Sequence, residues 1–373
     1  MASILINGIS AKFGGGKSIL VNFLGLLFKS NKKEQFVVIV PPGFEYLAYS
    51  KENIRIIPIK NSYFSLFIFY FLTIKQIVKK YKVSLIFNLA DLIVPISTKQ
   101  VYLFDWPYAI YPNSIAWNRM SRMEWFFRKF KLFLLKRCIH LPVLLIAQTK
   151  VTEERLKNFF SIKNIEVVPN AVSLNNLSGG QYKDFKLPKE GIKLLYLTKY
   201  YSHKNIEIFL ELGKIIHEEG LPYNIIITIS ESQNKNAKKF LENLKNERLN
   251  KVVINVGPVE MEYVPSLYQQ ADGLLMPSLL ESFSGTYVEA MYHGKPIFTS
   301  DLDFAKVVCG DAAFYFNPLE ANSIINSIRF AYENPDLMLS KISSGKERLN
   351  AFLSWEQVFD KFLKIIEKYQ IDE

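Results

Sequence analysis

The sequence is poor in cysteine and has no long hydrophobic run. Its 373 residues include two cysteines, Cys138 and Cys309, which lie far apart and match no metal-ligand spacing. The sequence therefore predicts neither a disulfide framework nor a structural zinc site, and it favours a reducing compartment. The longest apolar run, residues 63–74, has twelve residues, whereas a membrane-spanning helix needs roughly twenty. We expect this run to form a helix that packs against a sheet.

The amino terminus also lacks a basic region ahead of its apolar residues. Residues 1–9 are apolar and are followed by glycines, so they predict a first strand and not a signal peptide. Acidic residues are outnumbered as well, since 46 Lys and Arg against 35 Asp and Glu give a net charge of +11. Such an excess favours an acidic partner, and nucleic acid, anionic lipid headgroups and phosphorylated substrates all qualify.

Short β-branched runs alternate with longer helical stretches along most of the chain, and this alternation predicts a parallel α/β fold. We predict strands at residues 4–7, 36–40, 54–59, 84–88, 101–104, 143–147, 165–168, 192–198, 223–228, 252–256, 274–276, 297–299 and 313–316. Residues 176–191 lose the periodicity and gather Gly, Ser and Pro, so we interpret them as a linker. The sequence thus predicts two Rossmann-like, doubly wound domains, residues 1–175 and 192–350, that face each other across a cleft.

The segment around residues 274–294 predicts an anion site. An apolar strand ends there, Ser284 is the predicted N-cap of a helix that starts at Gly285 and runs to residue 293, and Gly294 is placed to end that helix. The free amides of Ser284, Gly285 and Thr286 and the positive end of the helix dipole would suit a diphosphate.

Two carboxylates flank this helix start. Glu281 precedes it, and Glu289 lies about a turn and a half inside it. Both could accept hydrogen bonds from sugar hydroxyls without the help of a metal ion.

This segment resembles the carboxyl-terminal, donor-binding half of the retaining glycosyltransferases of family 4. The similarity rests on two glutamates separated by seven residues, on Glu-Ala-Met-Tyr-His-Gly-Lys-Pro at residues 289–296, and on the strand and loop that follow. It implies the GT-B fold, with a final helix, residues 351–373, that returns to the amino-terminal domain. It also implies that Glu281 contacts the donor sugar and Glu289 the nucleotide ribose.

Two lysines follow the strand predicted at residues 192–198. Lys199 and Lys204 lie at the carboxyl end of that strand, where they could neutralise the negative charge that develops on a departing nucleoside diphosphate. In the resembling family this turn usually carries an arginine and then a lysine. Lys199 therefore replaces a bidentate guanidinium by a point charge.

The first predicted strand is followed by a glycine-rich loop that contains Gly15 and Gly16. The loop ends in Gly-Lys-Ser, as a P-loop does, but residue 11 is alanine and no strand supplies a magnesium ligand. We therefore favour a close approach of the backbone to the donor over an ATPase. The resemblance also places Asp105, in the turn 105–108, where relatives often have a histidine near the donor sugar.

Residues 119–137 form the densest basic stretch, with seven basic residues, one acid and five interleaved aromatic residues. This pattern is typical of a helix at an anionic membrane surface. It is equally typical of a helix whose aromatic side packs on its own domain while its basic side is solvated.

The resemblance implies a retaining hexosyltransferase that uses a nucleoside diphosphate sugar and needs neither a metal ion nor another cofactor. The turn 105–108 and residues 304–310 resemble those of bacterial O-antigen and capsule glycosyltransferases. We therefore expect a lipid-linked glycan acceptor, no nucleic acid, and a cytoplasmic protein at the inner face of the plasma membrane. A nucleotide-sugar 2-epimerase of the same fold, a basic nucleic-acid-binding or membrane-binding protein without activity, and a non-catalytic subunit stay open as alternatives.

Overall fold

The computed structural model describes residues 3–12, 14–49, 51–60, 62–171 and 181–371. Its contacts divide the chain into two compact units. Unit 1 comprises residues 1–110, 121–171 and 353–373, and unit 2 comprises residues 111–120 and 172–352. Each unit is built around one parallel sheet with helices.

The bounds of the regular elements follow in chain order. The strands are β1 Ser3–Asn7, β2 Gln35–Val40, β3 Ile54–Pro58, β4 Val83–Asn88, β5 Lys99–Leu103, β6 Leu144–Ala147, β7 Ile165–Val167, β8 Ile192–Tyr196, β9 Tyr223–Ile227, β10 Val253–Asn255, β11 Gly273–Met276, β12 Ile297–Ser300 and β13 Ala313–Phe316. The α-helices are α1 Gly14–Lys29, α2 Tyr63–Ile68, α3 Ile74–Lys80, α4 Arg122–Cys138, α5 Lys150–Phe160, α6 Ile208–Glu218, α7 Lys235–Asn246, α8 Val264–Gln270, α9 Gly285–Tyr292, α10 Asp303–Cys309, α11 Ala321–Glu333, α12 Pro335–Arg348 and α13 Trp355–Ile371.

Unit 1 contains a seven-stranded parallel sheet in the order β3-β2-β1-β4-β5-β6-β7. Its strands are almost continuously buried, as expected for a parallel sheet that is covered on both faces. Helix α13 packs on this unit, because the Phe23 ring of α1 lies 5.2 Å from Phe359 and the Phe87 ring of β4 lies 5.1 Å from Phe362. Lys32 also forms an ion pair with Glu367.

Unit 2 contains a six-stranded parallel sheet in the order β10-β9-β8-β11-β12-β13. Both sheets therefore have the Rossmann order, in which the chain reverses its winding direction between two central strands. These switch points lie between β1 and β4 in unit 1 and between β8 and β11 in unit 2.

The predicted strands are all present, with ends that move by one or two residues. The predicted α/β fold class and the Rossmann topology of both sheets are confirmed. The apolar run 63–74 is helical, as expected, but a π-helical turn at Phe69–Thr73 separates α2 from α3. Its residues Phe69 and Tyr70 are buried against the sheet of unit 1.

The predicted linker, residues 176–191, needs correction in the part that the structure describes. Residues 181–191 pack on unit 2: the amide of Lys183 donates to the Ser266 hydroxyl at 2.9 Å, and the amide of Phe185 donates to the Gln270 side chain at 3.1 Å. Residues 176–180 lie outside the described residues. A second correction concerns residues 111–120, which belong by their contacts to unit 2 although they were predicted to lie within the first domain.

Across the described residues, none of the helices combines the length and the apolar character that a membrane span requires.

Candidate active site

The site residues of unit 2 lie at its switch point. The loop after β8 carries Lys199 and Lys204, and the loop after β11 carries Glu281. In open parallel sheets, ligands bind outside the carboxyl ends of the strands at the point where the winding reverses. The fold therefore brings together side chains that are 77 residues apart in the sequence.

Lys204 and Glu281 form the centre of this arrangement. The Lys204 ammonium lies 2.6 Å from Glu281 Oε1, and the two side chains are only 15% and 10% exposed. A short, poorly solvated pair of this kind fixes the ammonium in one position. Because both side chains are mostly buried, bulk water screens this pair only weakly.

The two loops are fastened to each other by further hydrogen bonds. The buried Tyr196 hydroxyl lies 2.7 Å from the Ser278 hydroxyl and donates to the Lys204 carbonyl at 3.0 Å. The amide of Leu279 donates to the His203 carbonyl at 2.7 Å. Asn205, which follows Lys204, has a left-handed backbone with φ of 54°, and its side-chain amide donates to the Pro318 carbonyl at 2.7 Å. The backbone around the lysine is thus fixed on both sides.

Helix α9 begins where the sequence predicted and ends one residue earlier than predicted, at Tyr292. Ser284 occupies the N-cap position, but its side chain does not cap the helix, which corrects the prediction in part. The Ser284 hydroxyl is instead 2.8 Å from the hydroxyl of Thr286. The amides in the first turn of a helix have no partner within the helix, so those of Gly285 and Thr286 can meet an anion there.

The other end of α9 is closed by a Schellman arrangement. Gly294 has φ of 61°, and its amide donates to the Met291 carbonyl at 3.1 Å. The amide of Lys295 donates to the Ala290 carbonyl at 2.9 Å. This pairing is the one that a glycine after the helix end makes possible, and the predicted role of Gly294 is confirmed.

Glu289 lies on α9 against helix α8. The Tyr268 hydroxyl donates to Glu289 Oε2 at 3.2 Å and to the Thr286 carbonyl at the same distance. Burial raises the pKa of the Glu289 carboxyl from 4.5 to about 7, although the hydrogen bond from Tyr268 acts in the opposite direction. The side chain can therefore be either a donor or an acceptor of a hydrogen bond near neutral pH. No sequence motif marks Tyr268, which lies on helix α8.

Lys199 is exposed on the loop that also carries Lys204. Its carbonyl accepts a hydrogen bond from the Thr198 hydroxyl at 3.0 Å. Its ammonium is therefore in a position of higher dielectric than that of Lys204, where a charge contributes less to binding.

The remaining predicted site residues lie in unit 1. Gly15 and Gly16 follow β1, which borders the switch point, and Asp105 follows β5. Gly15 and Gly16 were predicted to lie in a loop. Helix α1 starts at Gly14, so both residues belong to the first turn of that helix instead. A Cβ atom added at Gly15 would lie 3.9 Å from Asp105 Oδ2. The structure thus places Gly15 close to Asp105. Lys17, the lysine that a P-loop would require, forms an exposed ion pair with Glu45 at 3.2 Å.

Residues 111–120 form hydrogen bonds within unit 2 that were not predicted. The Tyr111 hydroxyl donates to Asp303 Oδ1 at 2.8 Å, and the Ser114 hydroxyl donates to the Leu279 carbonyl at 3.4 Å. The second contact lies two residues from Glu281. No local motif marks such a contact, because it joins segments 165 residues apart.

Comparison with known families identifies the second unit. Residues 181–348 match the family described as glycosyl transferases group 1. The chain carries a group 1 glycosyl transferase domain. This domain contains the Lys204–Glu281 pair, α9 and Glu289.

Two curated relatives extend beyond the domain. A 41.2 kDa protein encoded in the cps region of Klebsiella pneumoniae is 24% identical over 217 residues, which are 54% of this chain and 56% of that protein. The chain therefore matches little more than half the length of that relative. The O-antigen chain mannosyltransferase RfbU of Salmonella typhimurium is 24% identical over 270 residues, which are 72% of this chain and 70% of that protein.

Solved structures show the same fold over the whole chain. Sucrose-phosphate synthase from Thermosynechococcus elongatus has a TM-score of 0.77 at 16% identity, with 99% of each chain covered. Anabaena HepE, solved in complex with UDP-glucose, has a TM-score of 0.74 at 14% identity and covers 99% of this chain and 100% of that one. The glycosyl transferase domain and the unit that precedes it thus have the GT-B fold.

Proposed function

We propose that this protein is a retaining hexosyltransferase that moves a sugar from a nucleoside diphosphate to a hydroxyl group of a glycan acceptor, without a metal ion. The observation that carries the proposal is the shielded Lys204–Glu281 pair at the switch point of unit 2, where Glu281 lies on the loop that leads into the first turn of α9. A cation and a helix start are the groups that a diphosphate requires. The UDP-glucose bound by HepE and the mannosyltransferase activity of RfbU support a nucleotide-sugar donor.

The proposed reaction breaks the bond between the anomeric carbon and the β-phosphate oxygen and forms a bond from that carbon to the acceptor oxygen. The acceptor's proton passes to the departing diphosphate on the same face of the sugar, so that the configuration is retained. Lys204, Lys199 and the α9 amides stabilise the charge on the leaving group. Glu281 orients the sugar and Glu289 accepts from the ribose.

The proposal that the reaction needs no metal ion rests on the lysines and helix amides that would stabilise the leaving group. Among the residues that the structure describes, no group of three or more His, Cys, Asp or Glu side chains is arranged to hold a metal ion. Lysines and helix amides supply positive potential in place of a divalent cation. Magnesium should therefore have little effect on nucleotide binding.

We further propose that the acceptor is lipid-linked, that its glycan belongs to a bacterial surface polysaccharide, and that residues 119–137 bind the cytoplasmic face of the membrane. The names of the two curated relatives support the polysaccharide. The exposed residues of α4 support the membrane contact, since Met123, Phe126, Phe130 and Phe133 are each at least half exposed. Basic side chains at Arg122, Lys136 and Arg137 are exposed beside them, a combination that suits anionic lipid.

The test is the thermal stability of the pure protein with UDP, GDP, ADP or ATP, each in EDTA and in magnesium. A nucleotide at about a hundred times its dissociation constant should add roughly 2.7 kcal/mol to the free energy of unfolding. We expect stabilisation by UDP or GDP in EDTA, which Lys204→Met should remove and Lys17→Met should not. Stabilisation by ATP with magnesium alone, lost in Lys17→Met, would contradict the proposal.

A further inference from the structure

Helix α4 has its charges and its aromatic residues on unexpected sides. Glu124, Arg128, Lys131 and Leu135 recur at intervals of three and four residues and face the body of unit 1. The aromatic residues Phe126, Phe130 and Phe133 recur at similar intervals on the exposed side. A helix that packs on a domain normally presents its apolar stripe inward, so this arrangement requires partners for the inward cations.

The partners of the inward cations lie in the turn that carries Asp105. The Lys131 ammonium is 4.2 Å from the centroid of the Trp106 ring, and the Arg128 guanidinium is 4.2 Å from the centroid of the Tyr108 ring. Both rings are buried, with 5% and 2% of their surface exposed. A cation over a buried aromatic ring is a directional contact that holds both groups.

Lys131 also contacts the segment that follows β4. Its ammonium lies 2.7 Å from Asp91 Oδ2, and its side chain is only 19% exposed. The Asp91 amide donates to the Ser10 hydroxyl at 3.4 Å, and the Asp91 carbonyl accepts from the Tyr102 hydroxyl at 3.2 Å. One lysine thus connects α4 to the loops after β1, β4 and β5.

Those loops hold the candidate ligand contacts of unit 1. Ser10 precedes the first turn of α1, where Gly15 lies beside the Asp105 carboxylate. Asp105 is the neighbour of Trp106, the ring on which Lys131 lies. A displacement of α4 would therefore reach both sides of this site through a single ammonium group.

We propose that Lys131, supported by Arg128, couples the lipid-facing side of α4 to the Asp105 turn, so that binding of an anionic membrane surface positions that turn. The inference rests on the proposed membrane contact of α4. Lys131 is a positioning residue, because it acts on Asp105 through Trp106. The charge complementarity of the exposed face, with Arg122, Lys136 and Arg137 beside the aromatic side chains, identifies anionic lipid as the occupant.

Amide hydrogen exchange tests this coupling without knowledge of the acceptor. The full-length protein is measured with vesicles of phosphatidylglycerol and phosphatidylcholine, and with vesicles of phosphatidylcholine alone. The reporters are the peptide of α4 and the amides of Ala109 and Ile110, which close the turn after Trp106 by hydrogen bonds to the carbonyls of Trp106 and Pro107. Exchange at such amides reports local opening.

Anionic vesicles should slow exchange in wild type both in α4 and at Ala109 and Ile110, the latter by about threefold to tenfold, the range expected for one strengthened cation–π contact. In Lys131→Met the slowing should persist in α4 and disappear in the turn. Lys131→Arg should keep both effects. Lys79→Met is the matched control, since it removes the same charge from an exposed position of α3 in the same unit, outside the proposed membrane contact, and it should retain the response of the turn.

Protection of α4 without protection of the turn in wild type would overturn the coupling while the membrane contact stands. Equal loss in Lys131→Met and Lys79→Met would also overturn it, since net charge would then explain the result. Protection of neither segment would overturn both the coupling and the membrane contact. Stabilisation by UDP or GDP, measured on the same preparation, shows separately whether the glycosyltransferase proposal survives. If Lys131→Met does not fold, the joint protection in wild type and its retention in Lys131→Arg remain decisive.

Discussion

The buried carboxyl of Glu289 should make the stability of the protein depend on pH, and Glu289→Gln should remove that dependence. The pKa of this group is raised from 4.5 to about 7, first by burial. Between these values the folded protein keeps a proton that the unfolded chain has released. Stability is therefore highest below pH 4.5 with respect to this group, falls as the pH rises towards 7, and stays lower above it.

The size of the effect follows from the shift. A difference of about 2.5 pKa units corresponds to about 3 kcal/mol at 1.36 kcal/mol per unit. This is an upper value, because Glu289 keeps partial contact with solvent. Glutamine has the same shape and still accepts from Tyr268, but it cannot ionise. We expect Glu289→Gln to exceed wild type in stability by up to about 3 kcal/mol above pH 8 and to match it near pH 4.

The assay is urea unfolding followed by circular dichroism from pH 4 to pH 9, on wild type, Glu289→Gln and Glu218→Gln. Glu218 is an exposed residue of α6 in the same unit, so its substitution changes the net charge equally without altering a buried group. The informative quantity is the difference between variant and wild type at each pH. A difference for Glu289→Gln that is the same at pH 5 and pH 9 would refute the reasoning.

Two further substitutions test the geometry of the same unit. Lys204→Met leaves Glu281 without its ammonium partner at 2.6 Å, so we expect a loss of about 1.5–3 kcal/mol in the free energy of unfolding and a fall of about 10²–10³ in the rate of sugar transfer; near-wild-type transfer would contradict the assignment. Gly294→Ala places a side chain where φ is 61° and where Cβ would lie 3.2 Å from Lys346 Cε, so thermal unfolding should show a loss of about 1–2 kcal/mol, with Gly294→Asn milder because asparagine tolerates this conformation.

Much of the fold could be predicted because buried parallel strands have an unambiguous pattern. Strands such as β6 and β11 are continuous apolar runs, and all of their residues are buried. The start of α9 was predictable for a similar local reason, since Ser284 follows a strand and Gly294 ends the helix. The pairing of Lys204 with Glu281 was not predicted, because it depends on β8 and β11 being neighbours in the sheet.

Contacts made by irregular segments could not be predicted in this way. Residues 181–191 have the composition of a linker, yet their amides are bound by Ser266 and Gln270 of α8. Composition measures how little a segment favours helix or strand, and it does not show which side chains satisfy its backbone. The same holds for residues 111–120, whose place in unit 2 depends on Tyr111 and Asp303, two residues 192 positions apart.

Helix α4 shows the limit of periodicity most clearly. Both its aromatic set, which includes Phe126 and Phe130, and its charged set, which includes Arg128 and Lys131, repeat at intervals of three and four residues, so the sequence defines two faces without saying which is inside. The orientation of the helix is decided by the partners of its two inward cations. Lys131 forms an ion pair with Asp91 and lies 4.2 Å from the centroid of the Trp106 ring, and Arg128 lies 4.2 Å from the centroid of the Tyr108 ring. Partners supplied by other segments can thus reverse the usual orientation of an amphipathic helix. The reversal leaves the aromatic face exposed and connects the helix to the Asp105 turn.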